Sequence, residues 1–110
     1  MRDVKAIVFL GDSRERLRDC PKEVRHEVGV ELRLIQNGEN PRNWKPMSGV
    51  GSGAIEICVK AGKEYRVFTV AKFEEAIYVL HVFVKKSRQT PPGHIDIAKK
   101  RFKQLKEERK

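Results

Sequence analysis

The sequence predicts an α+β fold with helices packed on an antiparallel sheet. Three strand-like runs follow one another between Ile55 and Val84, joined by connections too short for a crossover helix. Two stretches, one after Pro21 and one after Thr90, repeat their apolar residues at helical spacing. A short branched run, Ala6-Ile7-Val8-Phe9-Leu10, stands ahead of both. The predicted order is strand, two helices, three strands, one helix.

Ala6 to Leu10 reads as a short buried strand, broken by Gly11. Asp12 with Glu15 three residues on fits a capping box opening a short helix, which Pro21 stops near Cys20. Pro21 suits the first position of a second helix, where Val24, Val28, Leu32 and Ile35 form one apolar stripe and Gly38 is the stop. Gly38 to Gly53 is rich in Gly, Pro, Asn and Ser and reads as a loop, with Trp44 and Met47 expected to pin it to the core. The alternating run from Ile55 to Lys60, a tight connection at Ala61-Gly62-Lys63-Glu64, and the runs Tyr65–Phe73 and Ala76–Val84 joined at Glu74-Glu75 make a meander. Thr90 is the expected cap of a last helix begun by Pro91. Ile95, Ala98, Phe102 and Leu105 line one face of that helix, and most of its basic residues line the other.

The 110 residues are read as one domain, 1–110, with 39% hydrophobic residues for a modest core beneath a heavily charged surface. No apolar run approaches the roughly 20 residues of a spanning helix, and Asp3 spoils the start as a secretory leader. A cytoplasmic chain in no contact with a membrane is expected, with Cys20 and Cys58 as free thiols. His26, His81 and His94 are too scattered for a zinc site, so neither metal nor cofactor is expected. The net charge of +9 is uneven: residues 1–84 carry 14 basic and 12 acidic side chains, residues 85–110 carry 10 and 3. One-signed clustering at the carboxyl end, including Lys99, Lys100 and Lys103, points to a polyanion or acidic partner; the plain alternative is a solvated helix face.

Strand alternation places Arg66, Phe68 and Val70 on one face and Tyr65, Val67 and Thr69 on the other. It sets His81 with Ile77, Val79, Phe83 and Lys85, and Lys86 with Tyr78, Leu80, Val82 and Val84. Glu56, Lys60 and Arg66, with Lys85 or His81, then share an open polar strip. Such a cluster suits metal-free phosphodiester chemistry. When a ribose 2′-hydroxyl attacks its own phosphate, cations stabilise the charge on the non-bridging oxygens, and a base and an acid move the protons. His81 and Glu56 are the titratable groups near the strip; a packed core histidine is the competing reading of His81. Gly49-Val50-Gly51-Ser52-Gly53 lacks the flanking strand and helix of a phosphate loop and reads as a flexible loop.

Trp44-Lys45-Pro46-Met47, Glu56-Ile57, Tyr65-Arg66-Val67-Phe68, Tyr78-Val79-Leu80-His81-Val82-Phe83 and Lys85-Lys86-Ser87-x-x-Thr90-Pro91 occur in order over nearly the whole chain. Together they resemble the HigB-like, phage-derived branch of the RelE/ParE toxin superfamily. The resemblance implies a strand and helical hairpin on a curved antiparallel sheet with a basic carboxyl-terminal helix. It also implies a toxin of a type II toxin–antitoxin system that cuts messenger RNA on the ribosome without a metal. Arg66 then stands where the family has its phosphate-stabilising arginine, and Lys86, with Lys85, where relatives carry a basic residue after the last strand. Glu56 and His81 complete the candidate catalytic set, and Lys60, Lys99, Lys100 and Lys103 the RNA-binding set. The implied partner is a small helix-turn-helix antitoxin of the HigA kind, with operator DNA reached only through that complex.

Cys58 stands where relatives often have a basic residue, and Thr69 where they have a tyrosine. No tyrosine lies near the carboxyl terminus. Two other readings stay open at this point: a ParE-like poison of DNA gyrase that cuts no RNA, and a degenerate relative that only binds a partner.

Overall fold

The computed structural model describes residues 4–109; Asp3, on which the expectation about a secretory leader rests, lies outside the described residues, as does Lys110. The elements are β1 (Ala6–Phe9), α1 (Ser13–Arg18), α2 (Lys22–Gln36), β2 (Trp44–Pro46), β3 (Ala54–Ala61), β4 (Lys63–Val70), β5 (Ala76–Lys85) and α3 (Pro92–Glu108). They build one five-stranded sheet in the order β1-β5-β4-β3-β2. The expected meander of β3, β4 and β5 is present and antiparallel, with Gly62 at φ +76° turning β3 into β4, and the link from β4 to β5 spans residues 71–75. The sheet as a whole is mixed, because the chain lays β1 parallel to β5 before passing through the helical hairpin. No helix among the described residues is long and apolar enough to cross a membrane.

Alternation divides the apolar side chains between two cores. On one face Val24, Val28 and Leu32 of α2 pack on Ile57, Val59, Tyr65, Val67, Ile77, Val79 and Val82. On the other, Ala98, Phe102 and Leu105 of α3 cover Phe68, Val70, Leu80 and Phe83, with Val50 and Ala54 beside them. Helix α2 ends as its Gly38 predicts. With Gly38 at φ +82°, its N–H bonds to Ile35 and that of Glu39 to Leu34, a Schellman closure.

Several local expectations give way. β1 is a half-buried edge strand, since its outward face, with Val8, meets no further layer. Asp12 makes no cap; Arg16 Nε at 2.9 Å and Arg101 Nη2 at 2.6 Å occupy its carboxylate. Two guanidinium groups outcompete a backbone N–H there, and those hydrogen bonds hold Asp12 down at a pKa of about 2. Pro21 precedes α2 instead of starting it, its ψ of 151° being extended. The loop of residues 38–53 contains the short strand β2, with Pro46 tolerated because β2 is a sheet edge. Trp44 is exposed on that edge, and Met47 alone of the two packs against a core. Thr90 caps nothing; Pro91 takes that position, and the Thr90 hydroxyl donates to Glu56 Oε2 at 3.3 Å.

The largest correction is one of register. Phe68 pairs with His81 but Thr69 with Val79, so Leu80 is an extra residue, a β-bulge in β5. Beyond it the facing flips. Leu80, His81 and Phe83 all turn toward α3, while Ile77, Val79 and Val82 turn toward α2.

Candidate active site

The site begins with the β2–β3–β4 register. Lys45 lies opposite Glu56, and Cys58 opposite Arg66, which sets all four side chains on the α3 side of the sheet. The chain entering β2 is fixed by buried Glu31, whose Oε2 accepts the Arg42 N–H at 2.6 Å and whose Oε1 accepts Arg42 Nε at 2.8 Å. No α3 residue lines the cleft of about 150 Å³ at this end of the sheet, which is formed by Lys45, Glu56, Cys58, Lys60, Glu64 and Arg66, with Asn43 and Trp44 at its edge.

Glu56 and Arg66 form the cleft's inner wall. Arg66 Nη1 donates to Glu56 Oε1 at 2.7 Å, and Arg66 Nη2 lies 3.3 Å from Glu64 Oε1. Lys45 Nζ stands 3.6 Å from the same Glu56 oxygen, and Lys60 Nζ 3.9 Å from Glu64. Arg66 is 8% exposed, and its Nε–H has no hydrogen-bond partner. Burial works against its charge, but the hydrogen bond to Glu56 and the neighbouring anions outweigh it and hold its pKa above the usual arginine value.

The sequence-selected residues are distributed accordingly. Glu56, Lys60 and Arg66 are brought together as expected. Lys85 pairs in register with Glu64 and shares its face, and Lys86 is exposed just past the end of β5. His81 is not on the open strip. The bulge turns it under α3, where it is fully buried, stacked on Phe83 and hydrogen-bonded to His94 at 2.8 Å. Burial first, then the charges of Arg16, His94 and Arg101, push its pKa down to about 4. Glu56 is 1% exposed, and both its oxygens are engaged, one by Arg66 and one by Thr90. Lys99, Lys100 and Lys103 are exposed on α3. With Lys106 they line a separate groove of about 520 Å³ floored by Val50 and Phe102.

Two cleft residues escaped the sequence reading. Lys45 was hidden in a Pro- and Gly-rich stretch. Glu64 falls in the tight connection that the sequence predicts, yet it belongs to β4, where, two residues before Arg66, it shares Arg66's face. Glu64 is the accessible carboxylate of the cleft, its side chain 41% exposed. Both cysteines are free, and among the described residues no group of three or more His, Cys, Asp or Glu side chains is placed to hold a metal ion.

The family model described as "Phage derived protein Gp49-like (DUF891)" matches residues 15–103, a span that contains every residue of the cleft. No curated protein matches the chain.

Proposed function

The chain belongs to the phage-derived Gp49-like family, whose members are RelE-like toxins of toxin–antitoxin systems, and from this we propose that it is a metal-independent endoribonuclease cutting messenger RNA on the ribosome. Residues 1–110 act as one toxin domain of the HigB-like kind, in the cytoplasm. The observation that carries the reading is Arg66: a guanidinium held rigidly by Glu56, with a buried N–H that lacks an acceptor, beside Lys45 and Lys60.

A phosphodiester in the cleft would supply that acceptor. As the 2′-oxygen attacks phosphorus and the 5′-oxygen leaves, charge grows on the non-bridging oxygens, and Arg66 with Lys45 meets it in a partly desolvated site. Glu56 positions Arg66; it neither gives nor takes the reacting proton. Glu64, accessible and beside Arg66, is the carboxylate placed to receive the 2′ proton, and Lys60 or Lys85 the cation placed to assist the leaving oxygen. Lys86 and the α3 lysines Lys99, Lys100 and Lys103 hold RNA by its phosphates.

A toxin of this family has an antitoxin partner. We read that partner as an acidic helix-turn-helix protein, which the +9 charge would capture quickly and which alone touches operator DNA.

Expression in a bacterial host with labelled precursors tests the proposal. Protein synthesis should stop first, with cut messages ending in 2′,3′-cyclic phosphates. Arrest of DNA replication first, with intact messages, would replace the ribonuclease reading with a gyrase poison.

A further inference from the structure

We infer that Cys58 is a modification site, a thiol that exchanges with anionic low-molecular-weight disulfides of the glutathione type and blocks the cleft while the adduct lasts. The blocking half of this inference rests on the anion-binding role proposed for the cleft; the modification half does not.

Cys58 is half-buried, lines the cleft, and lies directly across the β3–β4 pair from Arg66. Lys45 and Lys60 flank it with side chains 54% and 69% exposed, so an incoming anion meets two solvated cations before it meets sulfur. Behind them the Arg66 side chain is nine-tenths withdrawn from water, with its Nε–H unpartnered. A buried donor without an acceptor in the chain can take one from a ligand or from ordered water. The carboxylates of a glutathione-type adduct supply one and meet the lysines together.

The chain's other thiol is a built-in comparison. Cys20 donates its S–H to the Arg16 carbonyl at 3.3 Å, and burial, with Asp19 beside it, pushes its pKa up. Cys20 also lines a cleft, of about 430 Å³, with Arg16 and Lys63, but Asp19 lies in that lining and none of the lining residues holds an unpartnered buried polar atom.

The exchange needs no further reagent. The Cys58 thiolate attacks one sulfur of the disulfide, and the S–S bond breaks. The departing thiolate takes a proton from solvent, and a Cys58 mixed disulfide remains. The disulfide is itself the oxidant, and excess free thiol reverses the step. Selectivity comes from the field acting on the reagent: Lys45, Lys60 and Arg66 outnumber Glu56 and Glu64 in the cleft, and the chain as a whole carries +9, a balance that favours anionic disulfides over cationic ones.

The experiment uses the whole reduced chain, treated in parallel with oxidised glutathione and with cystamine, a cationic disulfide. Intact mass follows the addition, and peptide mapping locates it. Oxidised glutathione should add once, at Cys58, about tenfold faster than cystamine at low salt, with the advantage lost near 1 M salt. Equal or faster reaction with cystamine, or equal modification of Cys20, overturns the inference. RNA cleavage and RNA binding are then measured on the adduct. Loss of both, restored by dithiothreitol, supports blocking; full cleavage with the adduct in place overturns it. A chain that never cleaves RNA, yet is selectively modified at Cys58, refutes the ribonuclease reading and upholds the modification site.

Discussion

The guanidinium of Arg66 and the carboxylate of Glu56 meet at 2.7 Å across neighbouring strands, and both are nine-tenths or more withdrawn from water. Arg66 is therefore a structural cation as well as a candidate catalytic one. It is buried, not the exposed residue that an open polar strip implies.

Arg66→Ala should lower RNA cleavage by about 10²–10³. It should also destabilise the fold by about 3–5 kcal/mol, because it strands the Glu56 charge inside the protein. Adding Glu56→Met should recover much of that stability and none of the activity. Urea unfolding together with single-turnover cleavage separates the two effects. A double variant that regains activity would remove Arg66 from the chemistry.

Stability should fall on mild acidification. His81 is held neutral in the fold at a pKa of about 4, below its ordinary 6.5, so the unfolded chain binds the extra proton first. The stabilisation is complete above about pH 6.5 and is lost as pH drops toward 4, worth about 3 kcal/mol at about 1.4 kcal/mol per unit. His94, pushed down chiefly by burial and then by Arg16, adds to the same slope. Urea midpoints at pH 7.5, 6 and 4.5 should decline in that order, and less steeply in His81→Leu. An unchanged slope in that variant would assign the acid sensitivity elsewhere.

A methyl group added at Gly51 would lie 2.5 Å from the Phe102 ring, whereas one at Gly49 meets nothing within 4 Å. Gly51→Ala should cost about 1–3 kcal/mol by forcing Phe102 off its seat in the α3 core. Gly49→Ala should be near neutral. Thermal unfolding of the two variants gives the comparison, and equal melting temperatures would contradict the packing.

Replacing Lys99, Lys100 and Lys103 with Ala should leave stability within about 0.5 kcal/mol, since all three are exposed. RNA binding should weaken, and its salt dependence should flatten by about one unit of log–log slope for each phosphate that is no longer neutralised. Binding across a salt series measures both. An unchanged slope would return the helix face to solubility or protein contact.

Much of this molecule is written locally. The period of Val24, Val28 and Leu32, the alternation of Ile57 and Val59, and the placement of Glu56 beside Arg66 all follow from the repeat of a helix or a strand. What escaped was set at longer range. Lys45 becomes a cleft residue because a three-residue strand pairs with β3, and three residues carry too little pattern to read. His81 changes sides because Leu80 is one residue too many for its partner strand, and nothing in the run Tyr78 to Phe83 marks the extra one. Asp12 and Thr90 have the chemistry of caps, but Asp12 is taken by Arg16 of its own helix and by distant Arg101, and Thr90 by distant Glu56.

The parallel pairing of β1 with β5 also fixes an order of events during synthesis. Ala6 finds its partner in Ala76, so the first strand made is among the last to be paired. At about 5–20 residues per second, roughly 4 to 14 seconds pass between the two leaving the peptidyl-transferase centre. Through that interval Ala6 to Phe9 is an apolar segment without its partner strand, its backbone groups hydrogen-bonded to water. The nascent chain is most exposed to misassociation at its own beginning, well before the cleft residues are all in place.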